Sequence, residues 1–225
     1  MSHRIYSDRP LVLLASYPRS GNTLLRTILN NCFGLGSSSV YPDDLGGNHA
    51  LESYVGHIEG VDRASRINQK VNLVKTHELD IYKLIPSIYV TRNGYDVLKS
   101  CWSFWNGEIS PLDIAAGRYR FGTWSNHVLS WSPWKREKTL WLKYEELVDI
   151  TSFPKALDKI SAFIELPIIA NKVPARESIV NVDGRWARAS NAKKLEITPA
   201  INEVFSNYNS KCMNFLGYPL QDFDG

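Results

Sequence analysis

The chain has little cysteine, no long apolar run and no cluster of one charge. Its three cysteines, Cys32, Cys101 and Cys212, are far apart and form no C-x-x-C pair. So sparse and odd a set excludes a disulfide framework and reads as reduced thiols in a cytoplasmic protein. No apolar stretch approaches the roughly 18 residues that a membrane span needs, and Met1–Pro10 is too polar for a signal peptide. Net charge is only +3, and Arg92, Arg118, Arg120, Arg185 and Arg188 are scattered rather than striped. That balance argues against a nucleic-acid partner. His3, His49, His57 and His127 show no metal-ligand spacing such as H-E-x-x-H, so no metal is expected. Repeats and low-complexity tracts are absent as well.

What the 225 residues do contain is apolar material for one core, so a single domain over 1–225 is expected. Short apolar runs at Leu11–Ser16, Val71–Lys75, Ser87–Thr91 and Thr139–Tyr144 read as strands. Continuous runs of this length suit a parallel sheet covered on both faces. Leu24, Leu25, Ile28, Leu29 and Cys32 share one helical face. Tyr95–Trp105, Leu112–Trp131, Phe153–Ile164 and Pro199–Leu216 also read as helices. Strand and helix alternate, which predicts a three-layer α/β fold with a central parallel sheet. Gly34–Gln69, rich in Gly and Ser, is too long for a simple connection and is expected to be functional or mobile.

The first strand runs into Tyr17-Pro18-Arg19-Ser20-Gly21-Asn22-Thr23 and then a helix. Strand, tight loop and helix aim backbone N–H groups and a positive helix end at one spot. Gly21 permits close approach, Ser20, Asn22 and Thr23 add short donors, and Arg19 adds a forked cation. The alternative is an ordinary βα turn with a surface Arg. A Walker A loop is not present: Ser16 stands where its first Gly belongs and Asn22 where its Lys belongs.

Two more strand ends carry chemistry. In Asn72–Glu78, Lys75 and His77 lie two apart and leave an extended chain on one side. A Lys can neutralise a developing anion, and a His can take a proton near neutral pH. The plainer reading of His77 is a partly buried helix cap. In Ile88–Trp105, Arg92 leaves a strand, Asn93-Gly94 turns, and Ser100 follows on a helix, so Arg92 and Ser100 can share a second anion. The plainer reading pairs Arg92 with Asp96.

These motifs, in this order, resemble the sulfotransferases that use 3′-phosphoadenosine-5′-phosphosulfate (PAPS). "YPRSGNTL", "KTH" and "YVTRNGYDVLKS" match the family's phosphosulfate loop, base-bearing strand end and 3′-phosphate motif. "FGTWSNHVLSW" and "LWLKYEEL" match two further segments, so the likeness runs from about residue 11 to 148. It departs in three places. Arg19 replaces a Lys, Leu24 replaces a Trp that stacks on adenine, and the family's C-terminal Gly-rich element has only a degenerate counterpart in Asn181–Leu195. Trp186 is left as a candidate adenine wall.

The resemblance implies a P-loop-like strand-loop-helix phosphosulfate site and sulfuryl transfer from PAPS, released as PAP, to a hydroxyl or amine. It implies His77 as general base, with Arg19 and Lys75 as the other catalytic residues. Arg19, Ser20, Gly21, Asn22 and Thr23 would hold the phosphosulfate, Arg92 and Ser100 the 3′-phosphate, and Tyr144 and Arg185 would lie with the nucleotide. The partner would be a small molecule or saccharide, with neither nucleic acid nor membrane involved. Two rivals stay open: a P-loop-like nucleotide phosphotransferase, and a non-catalytic module that binds PAP or a polyanion. Asp43, Asp44, His49, His57, Trp102, Trp105 and Trp124 are candidates for the acceptor pocket, with solvated loop and core packing as the equal alternative.

Overall fold

A computed structural model describes residues 9–42, 44–58, 69–172 and 194–221. Five strands form one parallel sheet: β1 (Leu11–Ser16), β2 (Ser38–Ser39), β3 (Asn72–Thr76), β4 (Ser87–Thr91) and β5 (Thr139–Lys143). Their spatial order is β2-β3-β1-β4-β5, which puts β1 at the centre. The helices are α1 (Asn22–Phe33), α2 (His49–Val55), α3 (Gly94–Phe104), α4 (Pro111–Ala115) and α5 (Trp124–Trp131). After β5 come α6 (Tyr144–Val148), α7 (Phe153–Ile164) and α8 (Pro199–Phe215). No described helix is long and apolar enough to cross a membrane.

The period-2 geometry of a strand splits the core into two layers. Val12 and Leu14 pack with Ile88, Val90 and Leu142 against Leu25, Ile28 and Leu29 of α1 and Leu157 and Ile160 of α7. Leu13 and Ala15 face the other way, toward Tyr89 and Trp131. On that side α3, α4, α5 and α8 close a second core around Leu98, Ile114, Trp124 and Phe205. The free thiols of Cys32, Cys101 and Cys212 are buried.

The expected elements hold with local corrections. Leu112–Trp131 is two helices rather than one, because Gly117 and Gly122 adopt φ of 70° and 66°. A Cβ on Gly117 would sit 2.4 Å from the Thr123 backbone nitrogen, so glycine is required there. Tyr144 does not end β5 but opens α6. The stretch from Gly34 is not a bare loop: β2, a 3₁₀ turn at Asp44–Gly47 and α2 lie within it.

At Gly94, the first residue of α3, an added Cβ would lie 2.7 Å from Phe205 Cζ and 3.0 Å from Met213 Sδ of α8. Both neighbours are buried. Gly94→Ala is therefore expected to destabilise the protein by about 1–3 kcal/mol through overpacking, lowering Tm by roughly 2–12 °C. Thermal unfolding followed by circular dichroism checks this; an unchanged Tm would mean that α8 yields at no cost.

Candidate active site

β1 stops at Ser16 and α1 begins at Asn22, so Tyr17–Gly21 must turn tightly over the helix N-terminus. Arg19 and Gly21 do this with φ of 65° and 108°. A non-glycine residue in the left-handed region costs about 1–3 kcal/mol unless its surroundings hold it. Arg92 does so here, since its Nη1 donates to the Arg19 carbonyl at 3.2 Å. Gly21 is required for a second reason: a Cβ there would lie 2.6 Å from Cδ2 of Tyr144. Ser20 Oγ is buried with no hydrogen-bond partner among the described residues. The Asn22 side-chain amide donates inward to the Leu14 carbonyl at 2.8 Å, and its Oδ1 is buried without a partner among the described residues.

Arg19, Ser100, Arg92 and Tyr144 come together beside this loop. Arg19 Nε donates to Ser100 Oγ at 3.3 Å, and the Arg19 guanidinium lies 4.5 Å over the Phe104 ring. The Arg92 guanidinium lies 4.3 Å over the Tyr144 ring, and Arg92 Nε is buried without a partner among the described residues. No Arg92–Asp96 ion pair forms among the described residues. The Asn93 side chain instead caps α3, accepting from Tyr95 N and Asp96 N, while its own N–H donates to Glu145 Oε1 at 3.1 Å. This last bond ties the Arg92 turn to the helix that carries Tyr144. Arg185 and Trp186 lie outside the described residues.

His77 follows β3 directly. Its Nδ1 is 2.7 Å from the Ser16 carbonyl, which can only accept, so Nδ1 carries the proton and Nε2 keeps a lone pair. The ring stacks on Tyr41 at 5.9 Å and meets the edge of Phe121 at 6.0 Å. Backbone bonds clamp the residue: its N–H donates to Tyr41 Oη at 2.7 Å, and its carbonyl accepts from His127 Nε2 at 3.0 Å. His127 is completed by the Tyr89 hydroxyl on Nδ1 at 2.8 Å. Burial, then the nearby Lys75 ammonium, holds His77 well below the usual histidine range. Burial also pulls His127 down to about 4.

Lys75 and His77 both approach Tyr41: Lys75 Nζ lies 5.8 Å over its ring, and the His77 ring stacks on it at 5.9 Å. The Lys75 ammonium is 2.6 Å from Asp44 Oδ1, while Asp44 Oδ2 is 2.6 Å from Arg26 Nη1. Of the proposed acceptor-pocket residues, Asp44 is thus a buried bridge and His57 Nδ1 lies 2.8 Å from Arg26 Nη2. The His49 side chain is 94% exposed, Trp124 is core, Trp102 and Trp105 pack against that core, and Asp43 lies outside the described residues. Tyr41, Arg26 and Phe121 escaped the sequence reading of the site. Tyr41 follows Val40 in a Ser-rich segment and Arg26 sits within an apolar helix face, so neither carries a local signal.

A profile described as the Sulfotransferase domain matches residues 9–181. Sulfotransferase 1 family member D1 of Mus musculus is 30% identical over 193 residues, covering 72% of this chain and 62% of that protein. Sulfotransferase 1B1 of Mus musculus is 31% identical over 179 residues, covering 68% and 58%. The chain therefore spans less than two thirds of the length of these relatives. Among solved structures, mouse sulfotransferase SULT7A1 complexed with PAP superposes with a TM-score of 0.55 at 20% identity, covering 94% of this chain and 89% of that one. Retinol dehydratase in a complex with retinol and PAP gives 0.54 at 16% identity, covering 96% and 83%.

With both ring systems buried, His77 and His127 are expected to stay neutral in the folded protein until well below pH 6.5. The unfolded chain takes up their protons near pH 6.5, so between that value and about 4 it binds more protons than the folded state. Stability must then fall as pH drops through this window. Imidazole NMR titration and urea denaturation at pH 7.5 and 5 check the two statements. A His77 that titrates at the ordinary value in the folded protein would remove both.

Proposed function

The chain belongs to the sulfotransferase domain family, and from that premise we propose that it transfers the sulfuryl group of PAPS to a hydroxyl or amine of a small-molecule or saccharide acceptor. One observation carries the reading. Two buried donors without partners among the described residues, Ser20 Oγ and Arg92 Nε, flank the strained loop at Arg19 and Gly21. Buried unsatisfied polar groups are rare, and two beside one helix N-terminus fit an anionic ligand with more than one charged group. PAP is the nucleotide that accompanies both of the solved relatives above.

PAPS supplies a sulfuryl group already activated by its anhydride bond to phosphate. This chain's residues then have three tasks. The N–H groups of Gly21 and Asn22, with Ser20, Thr23 and Arg19, hold the phosphosulfate and offset the charge that builds on the leaving phosphate. Arg92 and Ser100 hold the 3′-phosphate, and Tyr144 lies against Arg92 where the nucleoside would rest. His77 Nε2 receives the acceptor proton. Its low basicity at rest does not oppose this, since the proton is transferred as the acceptor oxygen attacks and becomes acidic. The Nδ1–Ser16 bond keeps the lone pair on Nε2. Lys75 adds a cation beside the same strand end. Arg185 is assigned to the nucleotide by the motif resemblance alone.

Arg92→Ala removes a charge-assisted contact worth roughly 1.5–3 kcal/mol. PAP affinity is expected to fall about ten- to a hundredfold, and affinity for adenosine 5′-phosphosulfate, which lacks the 3′-phosphate, to stay nearly constant. Calorimetric titration with both ligands checks this, and equal losses would mean that Arg92 only holds the Arg19 turn.

His77→Ala tests the assignment of the base. It is expected to leave PAP affinity close to that of the parent and to cut the transfer rate at saturating acceptor by about 10²–10⁴. The loss should shrink for an acceptor already ionised at assay pH. A folded His77→Ala protein that sulfates a neutral alcohol at the parent rate would end the role.

A further inference from the structure

The segment Ser37–His57 meets the sheet through a buried charge cluster whose Arg26 and Asp44 the transfer scheme above does not use. Arg26, on α1 one turn beyond Thr23, is fully buried. It donates from Nε to Ser37 Oγ at 2.7 Å and from Nη2 to the Ser37 carbonyl at 3.2 Å. Asp44, at the head of the 3₁₀ turn, takes Arg26 on one oxygen and Lys75 on the other, both at 2.6 Å. Lys75 is 4% exposed. The charged and titratable groups around its ammonium are Asp44 and Tyr41 from this segment, Arg26 from α1, Arg19 from the anion loop and His77 from its own strand end.

An ammonium with two guanidinium groups nearby, and little access to water, does not keep its proton or its place unaided. Asp44 is the anion that offsets this. We propose that Asp44 is a positioning residue for the transfer reaction: its carboxylate, anchored by Arg26, keeps Lys75 charged and fixed at the end of β3 beside the anion loop. The inference rests on the sulfuryl-transfer reading of the site. It makes a segment far from the recognised motifs part of the catalytic apparatus through one side chain.

Burial pulls Lys75 down to about 8 despite Asp44. The charged form is the useful one, so the transfer rate should decline as pH rises through about 8. In Asp44→Asn the cations and the burial remain while the anion is gone, so Lys75 loses its proton at lower pH. At pH 7.5 the rate at saturating acceptor is expected to fall roughly 10²-fold, the worth of one preorganised charged donor, and to recover partly toward pH 6.5. PAP affinity should change by no more than about twofold, because the residues assigned to PAP are retained. Asp44→Glu should restore most of the rate, and Lys75→Arg should abolish the alkaline decline, because a guanidinium does not titrate there.

Lysine-selective NMR reads the titration of Lys75 in the parent protein and the variants without any turnover. An ordinary lysine titration in the parent, or the same titration in Asp44→Asn as in the parent, overturns the inference. So does an Asp44→Asn rate profile that is lowered uniformly at every pH. If Asp44→Asn does not fold, the parent titration and Lys75→Arg still decide the matter. A parent protein that is folded, binds PAP and transfers nothing from PAPS to a broad acceptor panel overturns the proposed function instead, and the NMR arm tells the two failures apart.

Discussion

The parallel pairing of β1 with both β3 and β4 is the constraint on which the site depends. In its register Ala15 faces Thr76 and Ser16 faces Val90. One residue further on, Ser16 and His77 stand side by side, which is why a backbone carbonyl of β1 can fix the imidazole tautomer. On the other flank, Arg92 leaves β4 level with the turn at Arg19 and reaches its carbonyl. Because all five strands run the same way, every motif-bearing end opens on one edge of the sheet. A slip of one residue in either pairing would turn His77 or Arg92 to the opposite face.

The Asp44 cluster adds a second constraint, of a different physical kind. Buried charges are costly, and the cost is met only when each is paired and its remaining hydrogen-bonding capacity is used. Arg26 uses its donors on Asp44, Ser37 and His57, and Asp44 uses both oxygens. Replacing such a cluster with apolar side chains is often neutral or stabilising, so its value lies less in net stability than in geometry. Leu45, Leu51 and Val55 already bury the apolar side of the segment. What those contacts cannot do is fix one ammonium to within a hydrogen bond at the end of β3.

Sequence reasoning reached the parts of this structure that local pattern controls. The strands Leu11–Ser16 and Ser87–Thr91 and the helix Phe153–Ile164 have the expected bounds, because continuous apolar runs and a helical stripe are local signals. Arg19 reaches Ser100, and Arg92 reaches the Arg19 carbonyl and the Tyr144 ring, so residues from three motifs lie together. The break in Leu112–Trp131 was missed because an apolar stripe survives a turn in which Gly117 and Gly122 reverse the backbone. β2 is two residues long and has no periodicity to detect. Asp44 was visible as a loop carboxylate, but its partners are 18 and 31 residues away, and one sequence does not say which distant charges meet. Tyr41 was invisible for the same reason, since only the fold brings it onto His77.

The features that make the site chemically useful are those that make the free protein locally less stable. Arg19 is held in the left-handed region, and Ser20 Oγ and Arg92 Nε are buried without partners among the described residues. Each unsatisfied donor costs about 1–3 kcal/mol, a large fraction of the 5–15 kcal/mol that typically separates folded from unfolded states. Such costs persist because the surrounding packing is rigid: Gly21 is closed in by the Tyr144 ring, and Arg92 is stacked on that same ring. Were the loop free to relax, Ser20 and Arg92 would turn to water and the donors would be satisfied by solvent. Rigidity therefore keeps the donors pointed inward, where a bound anion gains the full difference between a filled and an unfilled hydrogen bond. On the proposed function, an anion with two charged groups would satisfy both donors, and one with a single charged group would leave one of them unsatisfied. On that same reading, discrimination between nucleotides would rest on how many of these fixed donors the bound anion reaches.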